Sequence, residues 1–274
     1  ADDWISDESC DEICRLVKDG GFDMAFLPYA AAFDGDTPSF VYYRERIFKR
    51  SGNYRFNGAV HEVVTPSGKI IYSSARINHK KIKSSEPLRN LKIYQRSISE
   101  GKTLDERSEF YYGRELLFNG MLRESVAVLE HFLTREGWIE NKIEACIDLF
   151  KAYSALGENN KAINSLLRSL LLATPRSEVC CLLGGYFFEK GEIEPAIYWY
   201  KSALNCVNDG KNGAFINLDY CGYIPNMQLC VLHDRLGEYV TANEFNEAAG
   251  KLKPDSKEYL FNKNYFKTKL GEGV

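Results

Sequence analysis

Four glycines that recur at similar intervals constrain the fold of this chain more than any other feature. Gly120, Gly157, Gly191 and Gly237 are separated by 37, 34 and 46 residues. The positions five and nine residues after each glycine, and four residues before it, also match between the four segments. They are Ser125, Ala162, Ala196 and Ala242, then Leu129, Leu166, Tyr200 and Asn246, and before the glycines Leu116, Tyr153, Phe187 and His233. Small residues let two helices approach closely and large ones fill the space between them, so the pattern predicts repeated helix–turn–helix units.

A period near 34 residues is typical of tetratricopeptide repeats, which we predict over residues 108–274. His233 and Asn246 depart from the apolar pattern, and residues 208–213 are interpreted as a loop insertion that lengthens the third interval. A chance run of amphipathic helices is the alternative, and the matched positions favour repeats over it. Such repeats stack into a solenoid whose concave groove binds peptides or partner subunits.

The first 82 residues have a different pattern, and residues 83–107 are predicted to link them to the repeats. Alternating side chains over residues 40–48 and 69–77 predict strands, as does the apolar run 22–31. Residues 6–17 predict a helix with Ser6 as N-cap, ended by Gly20 and Gly21. Residues 87–100 carry apolar side chains at helical spacing and predict an amphipathic helix. The predicted fold class is therefore α+β.

Composition excludes several classes of protein. The chain has 274 residues, with 35 Lys and Arg against 38 Asp and Glu, and this balance argues against a protein that coats nucleic acid. No apolar run is long enough to cross a bilayer, so we predict no transmembrane segment. The eight cysteines contain no CxxC pair. They predict free thiols and a cytoplasmic location.

A few polar residues before residue 82 have the chemistry of a metal or phosphate site. Asp2 and Asp3 open the chain, His61 and Glu62 are adjacent, and His79 ends a predicted strand. Carboxylates and an imidazole can hold Mg²⁺ or Mn²⁺ while that ion neutralises a diphosphate. The alternatives are an acidic helix cap and an ordinary His–Glu pair in a strand. The repeat histidines, His131 and His233, are interpreted as packed side chains rather than ligands.

The order of several short motifs resembles a known family. The motifs are Ala1-Asp2-Asp3 before a helix, Phe22-Asp23-Met24-Ala25, Arg44-Glu45-Arg46-Ile47-Phe48, Phe56-Asn57-Gly58-Ala59-Val60-His61-Glu62 and Glu109-Phe110-Tyr111-Tyr112-Gly113-Arg114-Glu115-Leu116. Together they are similar to the C-terminal half of family 2 glycosyltransferases, and in particular to bacterial enzymes with a C-terminal tetratricopeptide domain. The peptide S-glycosyltransferases of the sublancin type are one branch of these. The resemblance covers nearly the whole chain.

The resemblance implies a role for each matched residue. Asp2 matches the second Asp of an Asp-x-Asp motif that reaches the metal and the nucleotide diphosphate, and Asp3 matches the acidic position after it. His79 is implied as a further metal or phosphate contact, and Arg46 as a residue near the edge of the site.

On the acceptor side, the resemblance implies that His61 and Glu62 are catalytic, with Glu62 as the general base of an inverting transfer. The implied reaction moves a sugar from a nucleotide-sugar donor to a peptide, protein or glycan acceptor, with Mg²⁺ or Mn²⁺ as cofactor. The implied fold is a partial glycosyltransferase A-type α/β subdomain over residues 1–82, followed by an all-α tetratricopeptide solenoid.

One departure from the family leaves the activity open. The nucleotide-binding half of these enzymes would precede Ala1, so we expect this chain to be a C-terminal portion that is inactive alone. The alternative function is a non-catalytic tetratricopeptide scaffold for protein interactions. The aromatic-rich repeats are also compatible with a homodimer.

Overall fold

A computed structural model describes residues 2–79, 86, 88–207, 210, 211 and 213–271. The chain divides into two compact units. The first unit is Ala1–Leu172 with Asp209–Ile216, and the second is Ala173–Asn208 with Asn217–Val274. The domain boundary predicted at 82/83 lies outside the described residues.

A mixed β-sheet forms the N-terminal part of the first unit. Its strands are β1 (Asp3–Ile5), β2 (Met24–Asp34), β3 (Thr37–Phe48), β6 (Ile70–Tyr72), β7 (Ile77–His79) and β8 (Ile216–Asn217), and a separate two-stranded sheet contains β4 (Phe56–Asn57) and β5 (Val63–Val64). The order of the larger sheet is β1-β7-β2-β3-β8, with β6 also on β2. Strands β2 and β3 form a long antiparallel hairpin, whereas β6 and β7 run parallel to β2. The turn of the hairpin contains an Asp-Gly pair, and Gly35 has a φ of +58°.

Two strand predictions need correction. The strand predicted over residues 69–77 is broken into β6 and β7, because Ser73 and Ser74 leave the sheet to bind Glu12. Their hydroxyls donate to the Glu12 carboxylate at 2.7 and 2.8 Å. Strand β1 is also absent from the prediction, in which Asp2 and Asp3 simply precede a helix.

Helix α1 (Asp7–Asp19) covers a face of this sheet. Ser6 is its N-cap, as predicted, and accepts a hydrogen bond from the backbone N–H of Ser9 at 3.3 Å. The helix packs Ile13 and Leu16 against a core that includes Leu27 and Ile77. The apolar side of this amphipathic helix is therefore the side that packs on the sheet.

The rest of the first unit is a series of helices that pack in sequence order. They are α2 (Arg89–Ser99), α3 (Glu106–Phe118), α4 (Leu122–Thr134), α5 (Ile139–Ala155) and α6 (Asn159–Arg168), followed by a 3₁₀ turn (Ser169–Leu171). The helix predicted over residues 87–100 corresponds to α2. Phe110, Leu129, Phe132 and Leu149 are fully buried between α3, α4 and α5.

The second unit continues the pattern of paired helices. Its elements are α7 (Ser177–Glu189), α8 (Ile193–Leu204), a 3₁₀ turn (Leu218–Cys221), α9 (Tyr223–Arg235), α10 (Tyr239–Leu252) and α11 (Lys257–Leu270). Cys180, Ala196, Tyr200, Leu229 and Leu232 form its main core. Within the described part of the chain, none of the helices combines the length and the apolar character that a bilayer crossing needs.

The four turn glycines have the same backbone geometry, which confirms the repeat. Their φ angles lie between +74° and +77°. At each turn the residue after the glycine donates its backbone N–H to the carbonyl five residues earlier, at 2.9 Å. The four acceptors are Leu116, Tyr153, Phe187 and His233. This bond caps the helix C-terminus, and it is typical of helices that are followed by a residue with left-handed backbone geometry, here the glycine. The matched positions that follow are all buried, including the polar Asn246.

We expect Gly191→Ala and Gly185→Ala to change stability in opposite directions. At Gly191 a Cβ would meet nothing within 4 Å, but its φ of +76° disfavours any L side chain, so the free energy of unfolding should fall by about 1 kcal/mol. Gly185 lies inside α7, where a Cβ would make an ordinary contact at 3.5 Å with the Tyr200 hydroxyl. Alanine there should raise the free energy of unfolding by about 0.5–1 kcal/mol. Urea unfolding followed by Trp199 fluorescence measures both, and equal signs would contradict the turn geometry.

All eight cysteines are free thiols. Cys146, Cys180, Cys181 and Cys230 are buried, and burial raises the pKa of the Cys146 thiol to about 11. The prediction of buried free thiols is therefore confirmed for these residues, whereas Cys10 and Cys14 on α1 are exposed.

Candidate functional site

Three of the predicted site residues come together around one tyrosine. Strands β1 and β7 pair with Asp3 opposite His79. The Asp3 Oδ1 atom accepts a hydrogen bond from the Tyr29 hydroxyl at 2.9 Å and lies 2.8 Å from His79 Nδ1. The Arg46 guanidinium lies 4.6 Å from the centre of the Tyr29 ring. Strand register therefore joins Asp3 and His79, and the Tyr29 ring connects Arg46 to them.

The Asp3 carboxylate is stabilised in its ionised form. Partial burial raises its pKa, but hydrogen bonds from His79 and Tyr29 and the charge of Arg46 more than offset this and hold the pKa of Asp3 below its ordinary value. The ionised carboxylate therefore adds stability at neutral pH. This contribution is lost as the pH falls below about 4, towards the lowered pKa.

We expect Asp3→Asn to destabilise the chain at pH 7 more than at pH 3. The difference at pH 7 should be below about 1 kcal/mol, because the Asp3 side chain is 40% exposed and solvent screens its contacts. Asp2→Asn is the matched control, since the Asp2 side chain makes no hydrogen bond or ion pair within the described residues. Urea unfolding at the two pH values measures both variants. A larger gap at pH 3 would contradict the assignment.

The contacts of His61 and Glu62 differ from those that the resemblance implies. His61 has a left-handed φ of +52°, its Nε2 lies 3.1 Å from Glu115 Oε1, and its ring stacks on Tyr111 at 4.2 Å. Glu62 is exposed and uses its backbone carbonyl to accept from Arg44 Nη2 at 2.9 Å. In the part of the chain that the structure describes, neither the Glu62 carboxylate nor the Asp2 carboxylate contacts the Asp3–His79 pair.

The described residues contain no group of three or more His, Cys, Asp and Glu side chains that could hold a metal ion. Asp3 and His79 are two donors of the right kind, but they bind each other. Mg²⁺ or Mn²⁺ at Asp2 and His79 therefore stays a prediction.

An apolar groove of about 540 Å³ lies between the sheet and the first helices, inside the first unit. We call it the aromatic groove, after the rings of Tyr42, Tyr72, Tyr111, Phe132, Trp138 and Phe215 that line it. Residues 210, 211 and 213–215 reach it from far along the chain, and the Tyr72 hydroxyl donates to the Lys211 carbonyl at 2.8 Å. A Cβ on Gly213 would lie 2.6 Å from the Trp138 ring, so glycine permits that close contact. Apart from the many aromatic residues, nothing in the sequence indicates this site.

Two carboxylates in the aromatic groove are already neutralised. Glu45 is buried and binds Arg44 Nε at 3.2 Å and the Val64 N–H at 3.0 Å. Glu106 pairs with Arg135 Nη2 at 2.8 Å. These ion pairs leave little negative charge in the groove.

Arg107 has a different set of partners. Its Nη2 donates to the His61 carbonyl at 3.1 Å and to the Tyr111 hydroxyl at 3.5 Å, and its guanidinium lies 4.8 Å from the centre of the Tyr111 ring. Each of these partners is neutral. Within the described ranges of the chain, the groove therefore presents a positive charge that no carboxylate pairs with.

Asn141 adds an unusual polar group to the same groove. It lies in the first turn of α5 and is 3% exposed, and its buried Oδ1 atom has no hydrogen-bond partner among the residues that the structure describes. A buried acceptor without a partner costs about 1–3 kcal/mol. Such a cost is tolerated where an incoming ligand can supply the missing donor. Nothing in the sequence distinguishes Asn141 from a solvent-facing helical asparagine.

Comparison with known proteins supports the helical-repeat fold. No family model and no curated protein matches the chain. Among solved structures, PilF from Pseudomonas aeruginosa is 15% identical over 64% of this chain and 72% of its own, with a TM-score of 0.50. YrrB, a tetratricopeptide protein with an unusual peptide-binding site, is 12% identical over 67% and 86%, with a TM-score of 0.48. MamA is 21% identical over 66% and 83%, with a TM-score of 0.46. At these identities the likeness concerns the fold alone.

The predicted tetratricopeptide fold is confirmed, but the identification as a family 2 glycosyltransferase is wrong. The repeated turns and the fold shared with PilF support the helical repeats, and no family model matches the chain. The A-type subdomain and the nucleotide-sugar donor therefore have no support. The specific transferase roles given to Asp2, Asp3, Arg46, His61, Glu62 and His79 came from that resemblance, whereas their chemistry alone suggested only a metal or phosphate site. The motifs were misleading because they are short. They could not show the contacts of Glu62, since these depend on tertiary structure.

Proposed function

We propose that this chain is an interaction scaffold that binds a peptide segment of a partner protein. The observation that carries the proposal is the aromatic groove, with the unpaired Asn141 Oδ1 at its wall. A mostly apolar cleft with a few directed polar groups is the usual form of a binding site. Exposed aromatic rings such as Trp138, which is 46% exposed, are frequent anchors in protein interfaces.

The helical repeats support the same function. Each helix pair buries its apolar side on its neighbours, as Leu129 and Leu166 do, and leaves the other surface for partners. The first helices of the series also form one wall of the groove, through Arg107, Phe132 and Asn141. The fold can therefore supply a rigid wall to a flexible ligand.

We also propose a reducing compartment, such as the cytoplasm, as the location. Eight free thiols are typical of proteins that are kept reduced. Chain isolated under exclusion of oxygen, without added reductant, and then denatured should react with eight equivalents of a thiol reagent. A substoichiometric value that rises after reduction would contradict this location.

Selection of peptides on the full chain tests the scaffold function. A phage-displayed library of random dodecapeptides is selected on the immobilised chain, and synthetic copies of enriched peptides are titrated by fluorescence anisotropy. Trp138→Ala should weaken binding about tenfold or more, because it removes an aromatic wall of the groove. Tyr198→Ala is the matched control, since Tyr198 is an exposed aromatic residue on α8, 64% exposed and outside the groove lining.

A second variant distinguishes a direct loss of binding from a folding defect in Trp138→Ala. Thr65 is an exposed residue of the groove lining, and Thr65→Trp adds bulk there without removing a packed ring. It should also weaken binding. The proposal fails if no peptide is enriched, or if the peptides bind both groove variants as well as they bind the unmodified chain.

A further inference from the structure

We propose that the aromatic groove takes an extended peptide segment in which a carboxylate lies next to an aromatic side chain. This inference rests on the proposed function and names the class of ligand. It follows from three features of the groove, namely the Asn141 amide, the charge of Arg107 and the aromatic walls.

The Asn141 amide selects a peptide backbone in extended conformation. Its buried Oδ1 lacks a donor, and a side-chain amide carries both an acceptor and donors. A backbone peptide unit offers the complementary N–H and C=O. In a helical ligand these groups are bonded within the helix, whereas an extended segment leaves them free. The extended form is therefore the one that satisfies Asn141.

The charges of the groove select a carboxylate on that segment. Glu45 and Glu106 are paired with arginines, whereas the partners of Arg107 among the described residues are two neutral oxygens and the Tyr111 ring. A guanidinium binds a carboxylate through charge-assisted hydrogen bonds.

The first turn of α5 contributes charges of both signs. Gly137, Trp138 and Asn141 line the groove, and the N-cap residue Trp138 gives the helix no side-chain hydrogen bond. The N-terminal end of a 17-residue helix adds partial positive charge near Asn141, but Glu140 in the same turn opposes it. The preference for an anionic ligand therefore depends on Arg107.

The walls of the groove select an aromatic neighbour for that carboxylate. The rings of Tyr42, Phe132 and Phe215 line the cavity, and its volume is in the range of sites that hold compact organic ligands. Aromatic side chains gain additional energy from edge contacts with such rings. An aromatic residue beside an acidic one thus meets both the apolar wall and Arg107.

Matched synthetic peptides test this assignment on the full chain by fluorescence anisotropy. The reference peptide is an enriched sequence, acetylated and amidated, that contains an aromatic residue next to Glu. Replacing that Glu by Gln should weaken binding about tenfold, as loss of a charge-assisted bond does. A third peptide carries Gln and a free C-terminal carboxylate, which separates a terminal carboxylate from a side-chain one. If the third peptide binds as tightly as the reference peptide, the C-terminal carboxylate of the peptide makes the charge-assisted bond.

Arg107→Gln should remove the difference between the Glu and Gln peptides. The variant should bind the Gln peptide within about twofold of the unmodified chain, which also shows that it is folded. Arg123→Gln is the matched control, because Arg123 is exposed on α4 and outside the groove lining, and it should keep the tenfold preference. Asn141→Leu should weaken all three peptides about tenfold.

The failure of this inference differs from the failure of the proposed function. Groove-dependent peptides that show no preference for a carboxylate, or whose preference survives Arg107→Gln, would overturn the ligand class and leave the scaffold intact. Absence of any peptide that depends on Trp138 would overturn both.

Discussion

Phe110→Ala is expected to lower the free energy of unfolding of the first unit by about 4 kcal/mol. Phe110 is fully buried in α3, with its ring centre 5.5 Å from that of Phe132 and 5.0 Å from that of Tyr111. Truncation removes the buried ring and leaves a cavity that a rigid helix pair cannot close, which costs about 3–5 kcal/mol. Urea unfolding in a Trp199→Phe background measures the first unit through Trp4 and Trp138.

The control for this prediction lies on the same helix. Phe118 is 66% exposed, and its main contact is the Arg114 guanidinium, 5.3 Å from the ring centre. Phe118→Ala should therefore cost less than about 1 kcal/mol. Equal losses for the two variants would contradict the placement of Phe110 in the core between α3, α4 and α5.

Arg114→Met is expected to destabilise the first unit by about 3 kcal/mol. The Arg114 Nε lies 3.0 Å from Asp148 Oδ2, and its Nη2 lies 3.8 Å from Glu144 Oε2. Both carboxylates are buried on α5, one helical turn apart. Methionine retains the apolar stem but removes the charge, so two buried like charges face each other without that guanidinium. Loss of one member of a buried ion pair costs about 3–5 kcal/mol.

A double-mutant cycle separates this electrostatic effect from lost packing. If charge dominates, Asp148→Leu should cost less in the Arg114→Met background than in the unmodified chain. Arg96→Met is the control, because the Arg96 side chain is 81% exposed and its pair with Glu100 should contribute less than about 0.5 kcal/mol. Additive losses in the cycle would show that Arg114 acts through packing alone.

The sequence predicted the elements that depend on local geometry. The turn glycines were recognisable because a left-handed residue after a helix strongly favours glycine, and all four have positive φ. The cap at Ser6 and the helix α2 were predicted for the same kind of reason, since capping and apolar spacing act within one or two helical turns. These parts of the fold needed no knowledge of distant contacts.

The candidate site could not be predicted in this way. The aromatic groove joins Tyr42, Tyr111, Trp138 and Phe215, which are far apart in the sequence. Phe215 reaches Tyr42 because the neighbouring strand β8 pairs with β3. A shift of one residue in strand register would separate Asp3 from His79. This register is set by the pairing of β1 with β7, which are distant in the sequence. The short motifs therefore indicated residues with suitable chemistry, but they did not indicate which residues these would contact.

The paired helices follow from local sequence, because steric preference and helical period are properties of neighbouring residues. Three features depend on tertiary structure within the described residues: the unpaired buried oxygen of Asn141, the neutral partners of Arg107 and the bond from Arg44 to the Glu62 carbonyl. Burial and charge pairing depend on which distant segments come together, and side-chain chemistry read along the chain does not specify those pairings.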